Sequence, residues 1–150
     1  MEIAILGLGC FWGPERQFGE LEGVSKTEVG YCGGKNKDTT YQEVCTGLTG
    51  HAEVVKIEFN EIILPYEKII SLFFDFHNPT TLDRQGPDIG SQYRSEIFYL
   101  NKDQKKIAEK VLEEKNFDFK GKIVTKISEV LNYCKAEDYH QKYLKKKGML

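Results

Sequence analysis

The stretch Glu2-Ile3-Ala4-Ile5-Leu6-Gly7-Leu8-Gly9-Cys10-Phe11-Trp12-Gly13-Pro14-Glu15 decides the fold class. Residues 2–8 form a near-continuous apolar run, as a strand buried on both faces would. Gly9 to Gly13 then read as a turn. Pro14 suits the first position of a helix, where its missing N–H costs nothing. That helix is expected to reach about Leu21 and to stop before Gly23.

Working outward, residues 24–31 read as a second strand, ended by Gly33-Gly34 and a polar loop from Lys35 to Thr40. Residues 53–59 alternate, with Glu53, Val55, Ile57 and Phe59 on one face and Val54, Lys56 and Glu58 on the other. Residues 66–77 carry Ile69, Ile70, Phe73 and Phe76 at helical spacing. Residues 78–94 read as irregular, and Ser95 to Leu100 as a strand. Asn101 and Gln104 resemble a capping pair opening a helix to about Lys115. A last strand is expected over 123–130 and a last helix over 136–147. The order predicts an α+β two-layer sandwich, with a mixed, mainly antiparallel sheet and flanking helices, in one domain over 1–150. A long ordered loop in a small domain is usually functional, so 78–94 is a candidate wall of a site.

Composition narrows the function class. The chain has 150 residues, 40% hydrophobic and 29% charged, with a net charge of −2. That balance argues against a nucleic-acid binder, which usually shows a strongly basic face. The run Lys145-Lys146-Lys147 reads as a solvated helix end. The opening apolar run is too short to span a membrane and lacks the basic start of a signal peptide, so the expectation is a cytoplasmic protein with no membrane partner. The four cysteines, Cys10, Cys32, Cys45 and Cys134, show no C-x-x-C pair, so no metal site is expected.

Three segments carry chemistry. Cys10 follows a buried strand and precedes a helix start, where backbone N–H groups favour a thiolate and lower its pKa. On this segment alone a nucleophile and a small buried hydrophobe are equally good readings. In Thr49-Gly50-His51-Ala52-Glu53, the alternation puts Glu53 on the face of Val55, Ile57 and Phe59. If that face is the core face, burial keeps the carboxyl protonated near neutral pH; otherwise Glu53 is a solvent-facing strand end. In Asp83 to Ser95, Tyr93 and Asp88 can deliver hydrogen bonds into a cleft and Arg94 can pair with a carboxylate, though by composition the segment is an ordinary polar loop.

Together these segments resemble the A-type peptide methionine sulfoxide reductases. Gly9 to Glu15 is similar to that family's nucleophile motif, and Gly30-Tyr31-Cys32-Gly33-Gly34 to its glycine loop. Tyr41 to Val44, Gly47 to Glu53, His77 to Thr80, Gln85 to Ser95 and Ala136 to Gln141 match its remaining blocks. The resemblance implies reduction of methionine S-sulfoxide, in proteins, peptides and the free amino acid, without a cofactor. It implies that Cys10 attacks the sulfoxide sulfur and is left as a sulfenic acid. Phe11 and Trp12 would cage the S-methyl group through sulfur–aromatic contact. Glu53 would donate a proton toward the sulfoxide oxygen, helped by the hydroxyls of Tyr41 and Tyr93, and Asp88 would bind the substrate's backbone side. A sulfoxide oxygen leaves poorly until protonated or hydrogen-bonded, so an acid must face the thiol.

One departure concerns recycling. Many members carry recycling cysteines in a tail after the final helix, whereas this chain reads Lys147-Gly148-Met149-Leu150 there. Cys134, Cys32 or Cys45 would then resolve the sulfenic acid, or thioredoxin or another thiol donor would do so directly.

Overall fold

The computed structural model describes residues 1–143. The opening apolar run forms β1 (Glu2–Leu8), and it lies inside the sheet with a neighbour on each side. The helix after it, α1 (Trp12–Gly19), begins two residues ahead of Pro14, so the proline sits in the first turn, where its lack of a donor is harmless. The chain continues through β2 (Val24–Cys32), α2 (Tyr41–Cys45), β3 (Ala52–Phe59) and α3 (Tyr66–Asp75). A hairpin of β4 (Arg84–Gln85) and β5 (Asp88–Ile89) and a 3-10 turn at Ser91–Tyr93 lead to β6 (Ser95–Tyr99). Then come α4 (Lys102–Asp118), β7 (Lys126–Glu129), β8 (Cys134–Lys135) and a 3-10 turn at Asp138–His140.

The main sheet has six strands in the order β7-β6-β1-β3-β2-β8. Only β6 and β7 pair in parallel; the other four pairings are antiparallel. The expected α+β fold with a mixed, mainly antiparallel sheet is therefore what forms. The three long helices lie on one face of it. Phe18 of α1, Ile69, Ile70, Phe73 and Phe74 of α3, and Ala108 and Val111 of α4 pack with Leu6, Val55, Ile57, Phe59 and Ile97 of the sheet. The opposite face carries a smaller cluster of Ile5, Cys32, Ala52, Val54 and Phe98, covered by Val130 and Tyr133.

Local chemistry explains most boundaries. The Asn101 side chain accepts from the Gln104 backbone N–H at 2.9 Å, and the Gln104 side chain accepts from the Leu100 N–H at 3.0 Å. This is the expected cap, with the return bond shifted by one residue. Three expectations are corrected. The loop from Lys35 to Thr40 is as expected, but the stretch between it and β3, given no element by the sequence pattern, holds α2, which Thr40 caps by accepting from the Glu43 N–H at 3.2 Å. The 78–94 segment contains the β4–β5 hairpin, built on Gly86 with φ 57°. The helix expected over 136–147 is absent over 136–142: Ala136 donates to Val29 across the sheet edge, and a 3-10 turn follows. Residues 144–147 of that expectation lie outside the described residues.

The outer edge of β2 is finished in an unusual way. β8 covers only Gly30 and Tyr31. Beyond it the Gln141 amide stands in for a strand: Oε1 accepts from Val29 N–H and Nε2 donates to the Val29 carbonyl, both at 2.9 Å. Lys142 Nζ donates to the Thr27 carbonyl at 3.3 Å. Among the described residues no helix is long and apolar enough to cross a membrane.

Candidate active site

Cys10 stands in the turn between β1 and α1. Gly9 makes that turn with φ 94°, and a Cβ there would sit 2.7 Å from the Cβ of Gln85. Gln85 is itself clamped, since Oε1 accepts from Asn78 N–H and Nε2 donates to the Asn78 carbonyl, each at 2.8 Å. The 78–94 segment thus lies directly on the turn that holds the thiol. Its two ends are fixed by a buried polar chain. His77 Nδ1–H donates to the Phe73 carbonyl at 2.6 Å, His77 Nε2 meets Ser95 Oγ at 2.7 Å, and Ser95 Oγ meets Thr125 Oγ1 at 2.7 Å. Burial holds His77 neutral, its pKa down to about 4.

Glu53 occupies the last core-facing position of β3 before the sheet opens into the site. It is 1% exposed and pairs across the sheet with Tyr31. Oε1 accepts from the Phe11 N–H at 3.3 Å, while Oε2 is buried with no hydrogen-bond partner. Burial pushes this carboxyl up to about 8 against the Phe11 hydrogen bond, and Asp88 raises it further, so at neutral pH it carries a proton. The alternation in the sequence therefore places Glu53 correctly on the core face.

Cys10 behaves differently from the expectation of a lowered pKa. The Trp12 N–H does favour a thiolate, but burial outweighs it, and the Glu53 and Asp88 carboxyls add to burial, so the group is pushed up to about 11. The resting site therefore holds a thiol beside a neutral acid. One oriented N–H of a helix start cannot offset loss of solvent around sulfur.

Tyr41 and Tyr93 come from different elements and meet. Tyr93 ends the 3-10 turn; its phenol lies within electrostatic reach of that of Tyr41, which in turn neighbours the Cys45 thiol. Burial raises both phenols, Tyr93 to about 12 with the Glu53 charge as second cause, so both stay protonated donors. Asp88, on β5, lies within electrostatic reach of Cys10, Glu53 and Tyr93. Arg94 pairs with a carboxylate, as its position suggested: its Nε contacts Glu96 at 2.6 Å. Its other nitrogens donate to the Ser91 and Gly50 carbonyls, both at 2.9 Å, which ties the Tyr93 turn to the entry of β3.

The aromatic wall follows the thiol. Phe11 is 2% exposed and packs with Val29, Tyr31, Val44 and Ala136. Trp12 is half-buried. It stacks on Tyr143 at 3.7 Å between ring centroids, and its indole N–H donates to His140 Nδ1 at 3.2 Å. Of the residues singled out in the sequence, Cys10, Glu53, Asp88 and Tyr93 lie within electrostatic reach of one another, with Tyr41 beside Tyr93. Phe11 joins them through its N–H to Glu53, and Phe11, Trp12 and Tyr41 share His140 as a ring neighbour. Two others were missed. Glu137 accepts from Tyr31 Oη at 2.8 Å and from the Tyr41 N–H at 2.9 Å, anchoring α2. His140 is 2% exposed among the aromatics. The signal available was a Glu and a His in the block Ala136 to Gln141, which a purely solvated helix end does not require.

The other thiols differ in placement. Cys32 is buried on the far face of the sheet, its Sγ donating to the Leu131 carbonyl at 3.4 Å. Cys134 is on the edge strand, 3.7 Å from the Thr39 carbonyl. Cys45 is exposed on α2. Among the described residues no group of three or more His, Cys, Asp and Glu is placed to hold a metal ion.

Comparison with known proteins agrees with this geometry. A family model described as peptide methionine sulfoxide reductase matches residues 2–149. The peptide methionine sulfoxide reductase MsrA of Pelagibacter ubique is 63% identical over 147 residues, covering 98% of this chain and 100% of that relative. Among solved structures, the reduced form of Mxr1 from Saccharomyces cerevisiae superimposes with a TM-score of 0.94 at 35% identity, over 99% of this chain and 87% of that one. Methionine sulfoxide reductase A of Corynebacterium diphtheriae gives a TM-score of 0.88 at 34% identity, over 99% and 76%. The chain therefore belongs to the peptide methionine sulfoxide reductase family, to its A type, and is an oxidoreductase of that family.

Proposed function

We propose that the whole chain, 1–150, is one catalytic unit that returns methionine S-sulfoxide to methionine, with Cys10 as nucleophile and Glu53 as acid. The observation that carries this is the buried, protonated Glu53, with one oxygen held by the Phe11 N–H and the other unpartnered, beside the Cys10 thiol. In this reading Phe11 and Trp12 receive the S-methyl group, and Asp88 binds the substrate's backbone. The sulfoxide oxygen accepts hydrogen bonds from Glu53 Oε2–H and the Tyr41 and Tyr93 hydroxyls. Charge that develops on that oxygen meets fixed donors in a water-poor cleft, where they act most strongly. The Cys10 sulfur bonds to the substrate sulfur as its proton and that of Glu53 pass toward the sulfoxide oxygen; that oxygen then moves to Cys10, the substrate S–O bond and the new S–S bond both break, the S–S electron pair stays on methionine sulfur, and Glu53 regains its proton. Net, Cys10–SH and R–S(O)–CH3 become Cys10–SOH and R–S–CH3: cysteine sulfur is oxidised by two electrons and methionine sulfur reduced by two. A fixed acid, nucleophile and methyl cage accept one hand at sulfur, which supports selectivity for the S epimer. Free methionine sulfoxide, peptides and oxidised proteins are the substrates.

The sulfenic acid is closed by a thiol, with water released, and a second thiol completes reduction. The structural neighbour Mxr1 has been solved in complex with Trx2, which supports thioredoxin as the donor here; the cytoplasm is the proposed setting. Burial of Cys32 across the sheet and the edge position of Cys134 favour direct attack by the external thiol. One intact-mass measurement tests both halves. With one equivalent of substrate and no reductant, methionine appears and the protein gains one oxygen. No methionine sinks the reading of the reaction; methionine with a loss of two hydrogens replaces the external thiol by an internal one.

A further inference from the structure

We propose that His140 is a positioning residue: its unprotonated Nδ1 holds the Trp12 indole in place as a wall of the methyl cage, so that a proton on His140 releases that wall. The proposal rests on the reading of Trp12 given above. The indole N–H is a donor only, so the 3.2 Å contact fixes Nδ1 of His140 as an acceptor. The neutral ring then carries its proton on Nε2. That nitrogen is buried without a hydrogen-bond partner. The imidazole lies against Phe11 at 5.3 Å, Trp12 at 5.8 Å, Tyr41 at 4.6 Å and Tyr139 at 4.2 Å between ring centroids. His140 therefore lies against both aromatics that follow the thiol and against Tyr41, the neighbour of Tyr93.

Two contacts hold Trp12, and they differ in kind. Stacking on Tyr143, with planes 11° apart, fixes the plane of the indole but leaves it free to slide. The bond to His140 is directional and fixes where along that plane the ring stops. When Nδ1 gains a proton, two N–H groups face each other and the directional contact becomes repulsive. The groups around the imidazole set where that happens. From the start of α1 it meets Trp12 and the preceding Phe11, both neutral, from α2 the Tyr41 phenol, from its own turn Tyr139, and from the residue before that turn the Glu137 carboxylate. Burial lowers the His140 pKa below its ordinary value, and the charge of Glu137 opposes this without overcoming it. Neutral His140 is therefore the form present at pH 7, and cage loosening belongs to the acid side. Glu53, raised to about 8, keeps its proton throughout that range and produces no acid-side change of its own.

The chain has a single tryptophan, so fluorescence excited selectively at tryptophan reports on Trp12 alone. The ligand-free protein is expected to show a fluorescence step on acidification, with a midpoint below 6.5. Across the same step KM for a methionine sulfoxide peptide rises roughly five- to tenfold, the worth of one hydrogen bond, while kcat changes less. His140→Asn keeps an acceptor oxygen near the Nδ1 position and takes no proton, so both steps vanish and KM stays low. His140→Phe keeps the packing and loses the acceptor, so KM is raised at every pH. Trp12→Phe removes the donor and abolishes the acid-side rise in KM without altering His140. Persistence of the fluorescence step or of the KM rise in His140→Asn overturns the proposal, as does a low, unchanged KM in His140→Phe. If the wild type releases no methionine, the reaction assignment falls; the fluorescence step and its loss in His140→Asn still decide whether the two side chains are linked.

Discussion

β3 carries the same burial to two opposite ends. At Val55, Ile57 and Phe59, the face toward the helices is dry and packs in the apolar core, so removal from water stabilises the fold. Two residues before Val55, the same face presents Glu53, equally dry, with one carboxyl oxygen unpartnered. There, removal from water costs stability and holds a proton. One strand thus shows that burial has no fixed sign: the atom buried decides whether it contributes to folding or to chemistry.

The sharpest break in that comparison is at the site end. Cys10→Ser is expected to bring methionine release, followed by chromatography, down to the uncatalysed background, with far-UV circular dichroism unchanged; residual turnover would remove Cys10 from its assigned role. Glu53→Gln keeps shape and removes the acid, so the single-turnover rate of methionine formation is expected to fall by about 10² to 10⁴. The same variant should be the more stable protein at alkaline pH. The folded pKa of Glu53 lies above its unfolded value, so the folded state holds the proton longer. Stability is then lost as pH rises from about 4.5 to about 8 and changes little beyond. Melting curves of Glu53→Gln and wild type should therefore separate at pH 9 and nearly coincide at pH 4; separation at both would point to a packing effect.

At the core end the pattern inverts. Phe73→Ala, in the fully buried part of α3, should cost about 3 to 5 kcal/mol in urea unfolding and leave kcat of the folded fraction nearly unchanged. A large loss of kcat there would show that the two ends are coupled. The smallest effect concerns Tyr133, whose hydroxyl donates to Glu28 at 2.5 Å on the face away from Cys10. Tyr133→Phe should cost about 1 kcal/mol by denaturant titration and nothing in activity.

Most of this division was legible in the chain. Alternation along 53–59 put Glu53 in the apolar row, and the apolar run 2–8 put Cys10 at a strand end, because both depend only on local periodicity. What was not legible depends on tertiary surroundings. The helix start at Cys10 suggested a lowered pKa, but the solvent lost around the thiol is set by the 78–94 segment and by Glu53, distant in sequence. The block Ala136 to Gln141 reads as part of a helix from the chain alone. In the fold Glu137, His140 and Gln141 are spent on Tyr31 and Tyr41, on Trp12 and on Val29, and these bonds compete with helical geometry. α2 left no mark on the periodicity, because a five-residue helix is too short to repeat an apolar pattern.

The finish of β2 has a consequence for life at high concentration. An exposed strand rim is a template on which a second molecule can grow a sheet, and so a seed for fibres. Here the rim from Thr27 to Tyr31 is closed by a two-residue strand, one side-chain amide and one lysine, so the protein guards its rim without a full-length sixth strand. The economy also links solubility to the segment that positions Trp12, since Gln141 directly follows His140 in the chain.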